Sequence, residues 1–192
     1  MKNKKTQRQR SLKGKTILFC ITGSIAAYRA CDLVRDLRSD GADVICLMTE
    51  AAKRFVAPLT FHSLSGHPVY SDPFSEHEDW NVLHTTLADR ADLILIAPAT
   101  ADIIARLAAG FASDLVTSVV LASRAAVLIV PTMNDHMFAH VITQENIRKL
   151  QSIGYQFVEP VKGDLVCGRI GVGHIAEHGV VFGRVRKMLH AS

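Results

Sequence analysis

TILFCITGSIAAYRACDLVRDLRSDGADVICLM, residues 16–48, begins and ends on apolar runs, Thr16–Ile21 and Asp43–Met48, with a helical pattern between them. Both runs are almost continuously hydrophobic, as strands covered on two faces are. Between them Ala26, Ala30, Leu33, Val34 and Leu37 recur at three- and four-residue steps and draw one apolar stripe, and Gly41 supplies a stop signal near the helix end. The unit reads strand, glycine turn, helix, strand. Its alternation continues: DLILIA (92–97) and AVLIV (126–130) are further strands, and YQFVE (155–159) is a weaker one. Helices are expected at 101–109, at 114–123 and at 143–152, the last with Thr143 as cap candidate and Gly154 as its end. The segment 68–81, PVYSDPFSEHEDWN, reads as an ordered polar excursion. With no internal repeat and no break in composition, the pattern predicts one α/β domain on a parallel sheet with helices on both faces.

Bulk properties fit a globular domain: 192 residues, 48% hydrophobic and 21% charged. No apolar run reaches the roughly 20 residues that a membrane-spanning helix needs. The net charge of +4 is concentrated at the start, where MKNKKTQRQRSLKGK carries seven Lys or Arg and no acid, so the remainder holds 4 − 7 = −3. This arm has no aromatic residue for base stacking and no apolar core of a signal peptide. Residues 1–13 are therefore expected to be a disordered basic arm and 14–192 the domain, with neither a nucleic-acid nor a membrane partner. Cys20, Cys31, Cys46 and Cys167 show neither C-x-x-C spacing nor disulfide density. That pattern points away from a metal site and toward a reducing compartment, the cytoplasm.

In an open parallel sheet ligands bind beyond the carboxyl ends of the strands, so the loop after each strand bears on function. After the first comes TGSIAAY (22–28), a small hydroxyl-bearing turn that opens a helix and suits an anion or serves simply as a turn. It is neither G-x-G-x-x-G nor G-x-x-x-x-G-K-[ST]. The second strand runs into MTEAAKRF (48–55), where Thr49 offers a hydroxyl and Phe55 fits either a ring contact or core packing. The third leads into APATADIIARLAAG (97–110), whose small residues admit a flat ligand. His84 stands shortly before that strand, at the start of a short helix, as a catalytic or a structural histidine. The fourth leads into PTMNDHMF (131–138), where Asn134 offers an amide and Met133 and Met137 offer apolar walls or core filler. Near the end, GDLVCGRIGVG (163–173) sets Cys167 among glycines, which suits an exposed, movable loop.

In order and spacing these five motifs are similar to those of the flavin-dependent cysteine decarboxylases, over about residues 14–181. The resemblance implies a Rossmann-like, flavodoxin-like three-layer protomer that assembles as a homotrimer or a trimer-based higher oligomer, with FMN near the subunit interface. It implies that Gly23, Ser24 and Ile25 form the phosphate turn and that Thr49 makes a second phosphate contact. Thr100, Ala101, Asp102, Ile103 and Thr132 would contact the flavin. His84 would be the active-site histidine, Asn134 the amide for the substrate carboxylate, and Cys167 the cysteine of a flap near 162–175, with Val166 and Met137 also on the substrate. The chain departs from the usual pattern at Thr132, Phe138, Val166 and Arg169.

Within the family the pattern favours the members that convert 4'-phosphopantothenoylcysteine to 4'-phosphopantetheine in coenzyme A biosynthesis. Decarboxylating a cysteine leaves a carbanion with no adjacent sink, so FMN first oxidises the thiol carbon to a thioaldehyde, and loss of carbon dioxide then gives an enethiolate. His84 suits the oxidative half and Cys167 the proton donation of the reductive half. Members acting on a peptidyl cysteine release the enethiol and need no such cysteine, so Cys167 favours the coenzyme A reaction. A flavin prenyltransferase of similar fold and a non-catalytic flavoprotein subunit are the alternatives. Many bacterial members are fused to a phosphopantothenoylcysteine synthetase. This chain, which shows no second domain, is expected to work with a separate synthetase or to be a fragment of such a fusion.

Overall fold

The computed structural model describes residues 11–72, 83–164 and 170–190. Five strands, β1 (Thr16–Ile21), β2 (Asp43–Met48), β3 (Leu93–Ala99), β4 (Ala126–Pro131) and β5 (Gln156–Phe157), form one sheet in the order β2-β1-β3-β4-β5. Every neighbouring pair is parallel. This is the flavodoxin-like order, in which the chain reverses its direction of travel across the sheet between β1 and β3.

Eight helices stand among the described residues: α1 (Ala30–Ser39), α2 (Pro58–Ser65), α3 (Leu83–Arg90), α4 (Ala101–Ala109), α5 (Leu115–Ala122), α6 (Asp135–Ala139), α7 (Val141–Ser152) and α8 (His178–His190). The two-residue period of the strands divides the core in two. Ile17, Phe19 and Ile21 of β1 face one cluster with Leu33, Val34 and Leu37 of α1, Phe61 of α2 and Val181 and Val185 of α8. Leu18 and Cys20 face the other, with Leu87 of α3, Ile103 and Leu107 of α4, Val116 and Val119 of α5 and Ile147 of α7. Buried on both faces, each Leu, Ile or Phe contributes about 1.5–3 kcal/mol from the water it leaves. This explains why the strands read as unbroken apolar runs. Among the described residues no helix is long and apolar enough to cross a membrane.

Several local expectations shift. Leu12, within the stretch expected to be a basic arm, is fully buried in the domain. Ser11 donates its hydroxyl to Asp40 at 2.5 Å and accepts from the Arg186 guanidinium at 2.8 Å. The first helical stripe is divided into a 3-10 turn, Ile25–Arg29, and α1. Thr143 does not cap α7 but is buried inside its first turn; His140 is the cap, its ring accepting from the Ile142 amide at 3.3 Å. Asp114 caps α5 through a capping box with Thr117. Helices α2 and α8 have no counterpart in the predicted pattern. The expected flap is an antiparallel hairpin apart from the main sheet, β6 (Val161–Asp164) with β7 (Ile170–His174).

If the docked N-terminal turn is part of the packed domain, Leu12→Ala opens a cavity and lowers stability by about 2–5 kcal/mol. Guanidinium unfolding monitored by circular dichroism measures it, and an unchanged midpoint would show that this turn contributes nothing.

Candidate functional site

The carboxyl ends of β1, β2, β3 and β4 surround a cavity of about 630 Å³, located where the strand order reverses. Each wall is the loop after one strand, and each loop is shaped by a small side chain that bonds its own backbone.

After β1, Thr22 is buried, and its Oγ1 donates to the Pro98 carbonyl at 2.7 Å and accepts from the Thr100 amide at 3.1 Å. Ser24 caps the 3-10 turn, its hydroxyl accepting from the Ala26 amide at 3.2 Å. Gly23 lies against Ala51 of the loop after β2, so closely that a Cβ at position 23 would collide with the Ala51 side chain. Glycine is required there by the approach of the two loops. After β2, Thr49 accepts from the Ala52 amide at 3.3 Å and its own amide donates to the Ile21 carbonyl at 3.1 Å, which ties the two strand ends together.

After β3, Thr100 caps α4 by accepting from the Ile103 amide at 3.3 Å, so the first turn of a nine-residue helix borders the cavity. The positive end of the helix dipole favours a negative ligand group there. Asp102 in that turn is held by Arg106 at 3.0 Å, and Arg106 also reaches Asp114 at 3.5 Å and the Ser113 hydroxyl at 3.2 Å. This row of alternating charge lines the wall beneath the helix start. After β4, the Thr132 hydroxyl at 3.2 Å and the Met133 amide at 3.0 Å both donate to the Gly173 carbonyl, which fixes the root of the hairpin on the cavity rim. A Cβ at Gly173 would overlap the Met133 carbonyl, and one at Gly171 would lie 2.6 Å from the Asp135 Cβ. The glycines of β7 thus let the hairpin lie flat against the loop after β4.

The structure gathers Gly23, Ser24, Thr49, Thr100, Ala101, Asp102, Ile103, Thr132 and Met137 around this cavity. Ile25, expected among the cofactor contacts, does not line it; its side chain is 54% exposed. Asn134 lies one residue beyond the lining residue Met133 and caps α6, accepting from the His136 amide at 3.0 Å. His84 sits in the first turn of α3, half-buried and not on the cavity wall of its own chain. Val166 and Cys167 lie outside the described residues. Sequence reasoning passes over Thr22, Arg106 and Asp114. Thr22 has no periodic signal, but the spacing of Asp102 and Arg106 at i,i+4 marks a helical ion pair. Burial pushes the Cys46 thiol up to about 12 and raises those of Cys20 and Cys31, so all three are poor nucleophiles.

Fold and cavity together define a flavodoxin-like protein with an anion-compatible ligand site at its topological switch point. A model of the family described as Flavoprotein matches residues 5–190. The coenzyme A biosynthesis bifunctional protein CoaBC of Bacillus subtilis is 47% identical over 166 residues, 86% of this chain but 41% of the relative. The chain thus spans about two fifths of the length of the bifunctional relatives it matches. A probable phosphopantothenoylcysteine decarboxylase of Streptococcus mutans is 43% identical over 177 residues, covering 91% of this chain and 99% of the relative. Among solved structures, a mutant PPC decarboxylase complexed with pantothenoylaminoethenethiol has a TM-score of 0.84 at 25% identity, covering 92% of this chain and 98% of that one. The FMN-dependent cysteine decarboxylase SpaF has a TM-score of 0.83 at 27% identity, covering 94% and 98%. The chain belongs to the Flavoprotein family, in the branch that holds the phosphopantothenoylcysteine decarboxylases.

Two outcomes test this geometry. Thr22→Val strips the Thr100 amide and the Pro98 carbonyl of their buried partner, and is expected to cost about 1–3 kcal/mol per group left unsatisfied, read as a shift in the denaturant midpoint. Iodoacetamide at mildly alkaline pH is expected to spare Cys20 and Cys46 in the folded protein and label both after unfolding; labelling of either in the native state, mapped by mass spectrometry, contradicts their assignment as inert core thiols.

Proposed function

We propose that this protein is an FMN-dependent decarboxylase that converts 4'-phosphopantothenoylcysteine to 4'-phosphopantetheine in coenzyme A biosynthesis. The observation that carries the reading is the cavity wall at Gly23 and Ser24, opposite the first turn of α4 and the hydroxyls of Thr49 and Thr132. These residues fit FMN. Ser24, Thr49, Thr100 and Thr132 bring hydroxyl-bearing side chains to the cavity, which with the first turn of α4 suit a phosphate, and the small residues Thr100 and Ala101 admit a planar ring.

Bound FMN supplies the two-electron acceptor and donor that cysteine decarboxylation requires. The chain's own groups bind, orient and protonate. Asn134, whose oxygen is turned to the His136 amide, offers the substrate carboxylate the donor chemistry of its amide nitrogen. His84 serves the oxidative half as the proton-handling group and Cys167 protonates carbon in the reductive half. Met137, 49% exposed at the cavity, and Val166 are the apolar contacts to the substrate.

The position of His84 away from its own chain's cavity supports a homotrimer or a trimer-based higher oligomer, in which α3 of a neighbouring copy completes the site. Phe111, 57% exposed, and Leu59, 71% exposed, are among the large apolar side chains that such an assembly would cover. The working partner is a phosphopantothenoylcysteine synthetase and the location is the cytoplasm. Action on a peptidyl cysteine is the second reading, since the similarity to the FMN-dependent cysteine decarboxylase SpaF does not by itself choose between cysteine substrates; Cys167, which an enethiol-releasing enzyme would not need, ranks it lower.

The wild-type protein is expected to hold FMN and show its yellow absorption; a flavin-free wild type after refolding with FMN would sink the reading. Given phosphopantothenoylcysteine, Cys167→Ser should release carbon dioxide yet accumulate the enethiol, two hydrogens lighter than the product, while His84→Asn should release none. Mass spectrometry reads both, and fully reduced product from the serine variant would refute the proton-donor role.

A further inference from the structure

The 3-10 turn whose first end borders the large cavity has a second cavity of about 260 Å³ at its other end, lined by Tyr28, Arg29, Asp32, Ile175, Ala176 and His178 among others. The charges there are unevenly matched. Asp32 is paired with Arg35 at 2.8 Å, and His178 bonds Asp36 at 2.9 Å. Arg29 is different: among the described residues no carboxylate pairs with it. Its Nε donates to the Tyr28 hydroxyl at 3.3 Å, and its terminal nitrogen lies 3.5 Å from Nε2 of His174. Nδ1 of His174 donates to the Ile175 carbonyl at 3.1 Å, which makes Nε2 the lone-pair acceptor for Arg29. A half-buried guanidinium thus directs its donors to neutral acceptors beside an open cavity, and its charge calls for an anion that matches its fork.

The position of Arg29 narrows the choice of anion. His174 ends β7 and its ring lies against Gly163 of β6, so Arg29 grips the root of the hairpin. The adjacent Gly173 carbonyl accepts from the Met133 amide, next to Asn134. One continuous rim therefore runs from the amide assigned to the substrate carboxylate, across the hairpin root, to an uncompensated cation. Phosphopantothenoylcysteine carries its carboxylate and its phosphate monoester at opposite ends of one extended molecule. Resting on the decarboxylase reading, we propose that Arg29 anchors the phosphate monoester of the substrate and is the residue that makes the enzyme select the phosphorylated form.

The test is calorimetric titration of the FMN-loaded protein with 4'-phosphopantetheine and with pantetheine, which lacks the phosphate. One charge-assisted fork should make the phosphorylated ligand bind about 10- to 100-fold tighter to wild type. In Arg29→Gln the gap should shrink to less than about threefold, with pantetheine affinity and the flavin spectrum unchanged, while Arg29→Lys, which keeps the charge, should retain part of it. A gap of wild-type size in Arg29→Gln, an equal loss for both ligands, or no preference in wild type overturns the assignment. Carbon dioxide release is measured in parallel. An Arg29-dependent gap without decarboxylation leaves the phosphate site standing and fails the decarboxylase reading, whereas decarboxylation with an Arg29-independent gap does the reverse.

Discussion

One buried hydroxyl holds the site together. Thr22 stands where β1 ends, at the point in the sheet where the chain turns back on itself, and its oxygen joins the loop after β1 to Pro98 at the end of β3 and to Thr100, the residue that caps α4. The two bonds are worth little in net stability, about 0.5–1.5 kcal/mol each. Their effect is positional: they set the height of the Ser24 turn relative to the start of α4, and the ligand cavity is the space between those two. The remaining walls are hung from the same frame by Thr49, reaching back to Ile21, and by Thr132, whose amide donates to the Ala99 carbonyl at 3.0 Å.

The strands are the most legible part of the sequence, because a strand covered on both faces has no polar position to interrupt it. The apolar runs Thr16–Ile21 and Asp43–Met48 coincide with β1 and β2 to the residue. Elements with weaker amphipathic contrast leave no such trace. Helix α2 places a histidine, two serines and a threonine among its apolar residues and buries only Phe61 and Ser65, and α8 carries glycines at 179 and 183. Threonine is a good cap, which favours Thr143 in the sequence, yet His140, three residues earlier, supplies the acceptor and lets the helix begin sooner. Leu12, set in a run of basic residues, carries no periodic signal, and only the tertiary fold gives it a core to enter.

At the site, sequence order identifies the loops but not which side chains turn inward. Position along a strand tells where a loop starts; it does not tell that Ile25 faces outward while Ser24 next to it lines the cavity. His84 opens α3 away from the cavity of its own chain, a separation that its place in the sequence, shortly before β3, does not announce. Arg29 is illegible for another reason: a lone arginine at a helix start is ordinary until its surroundings reveal that no acid among the described residues answers it.

The contact between Gly23 and Ala51 has a bearing on how this protein can change. Two loops from adjacent strands share a space that holds one methyl group, and Ala51 already fills it. A side chain at position 23 is therefore tolerable only in company with a reduction at position 51, so the two sites form an epistatic pair. A walk through single substitutions would find position 23 closed, while Gly23→Ala together with Ala51→Gly would exchange which loop carries the methyl and leave the sum of volumes unaltered. Laboratory evolution aimed at a different ligand would have to cross this interface in paired steps.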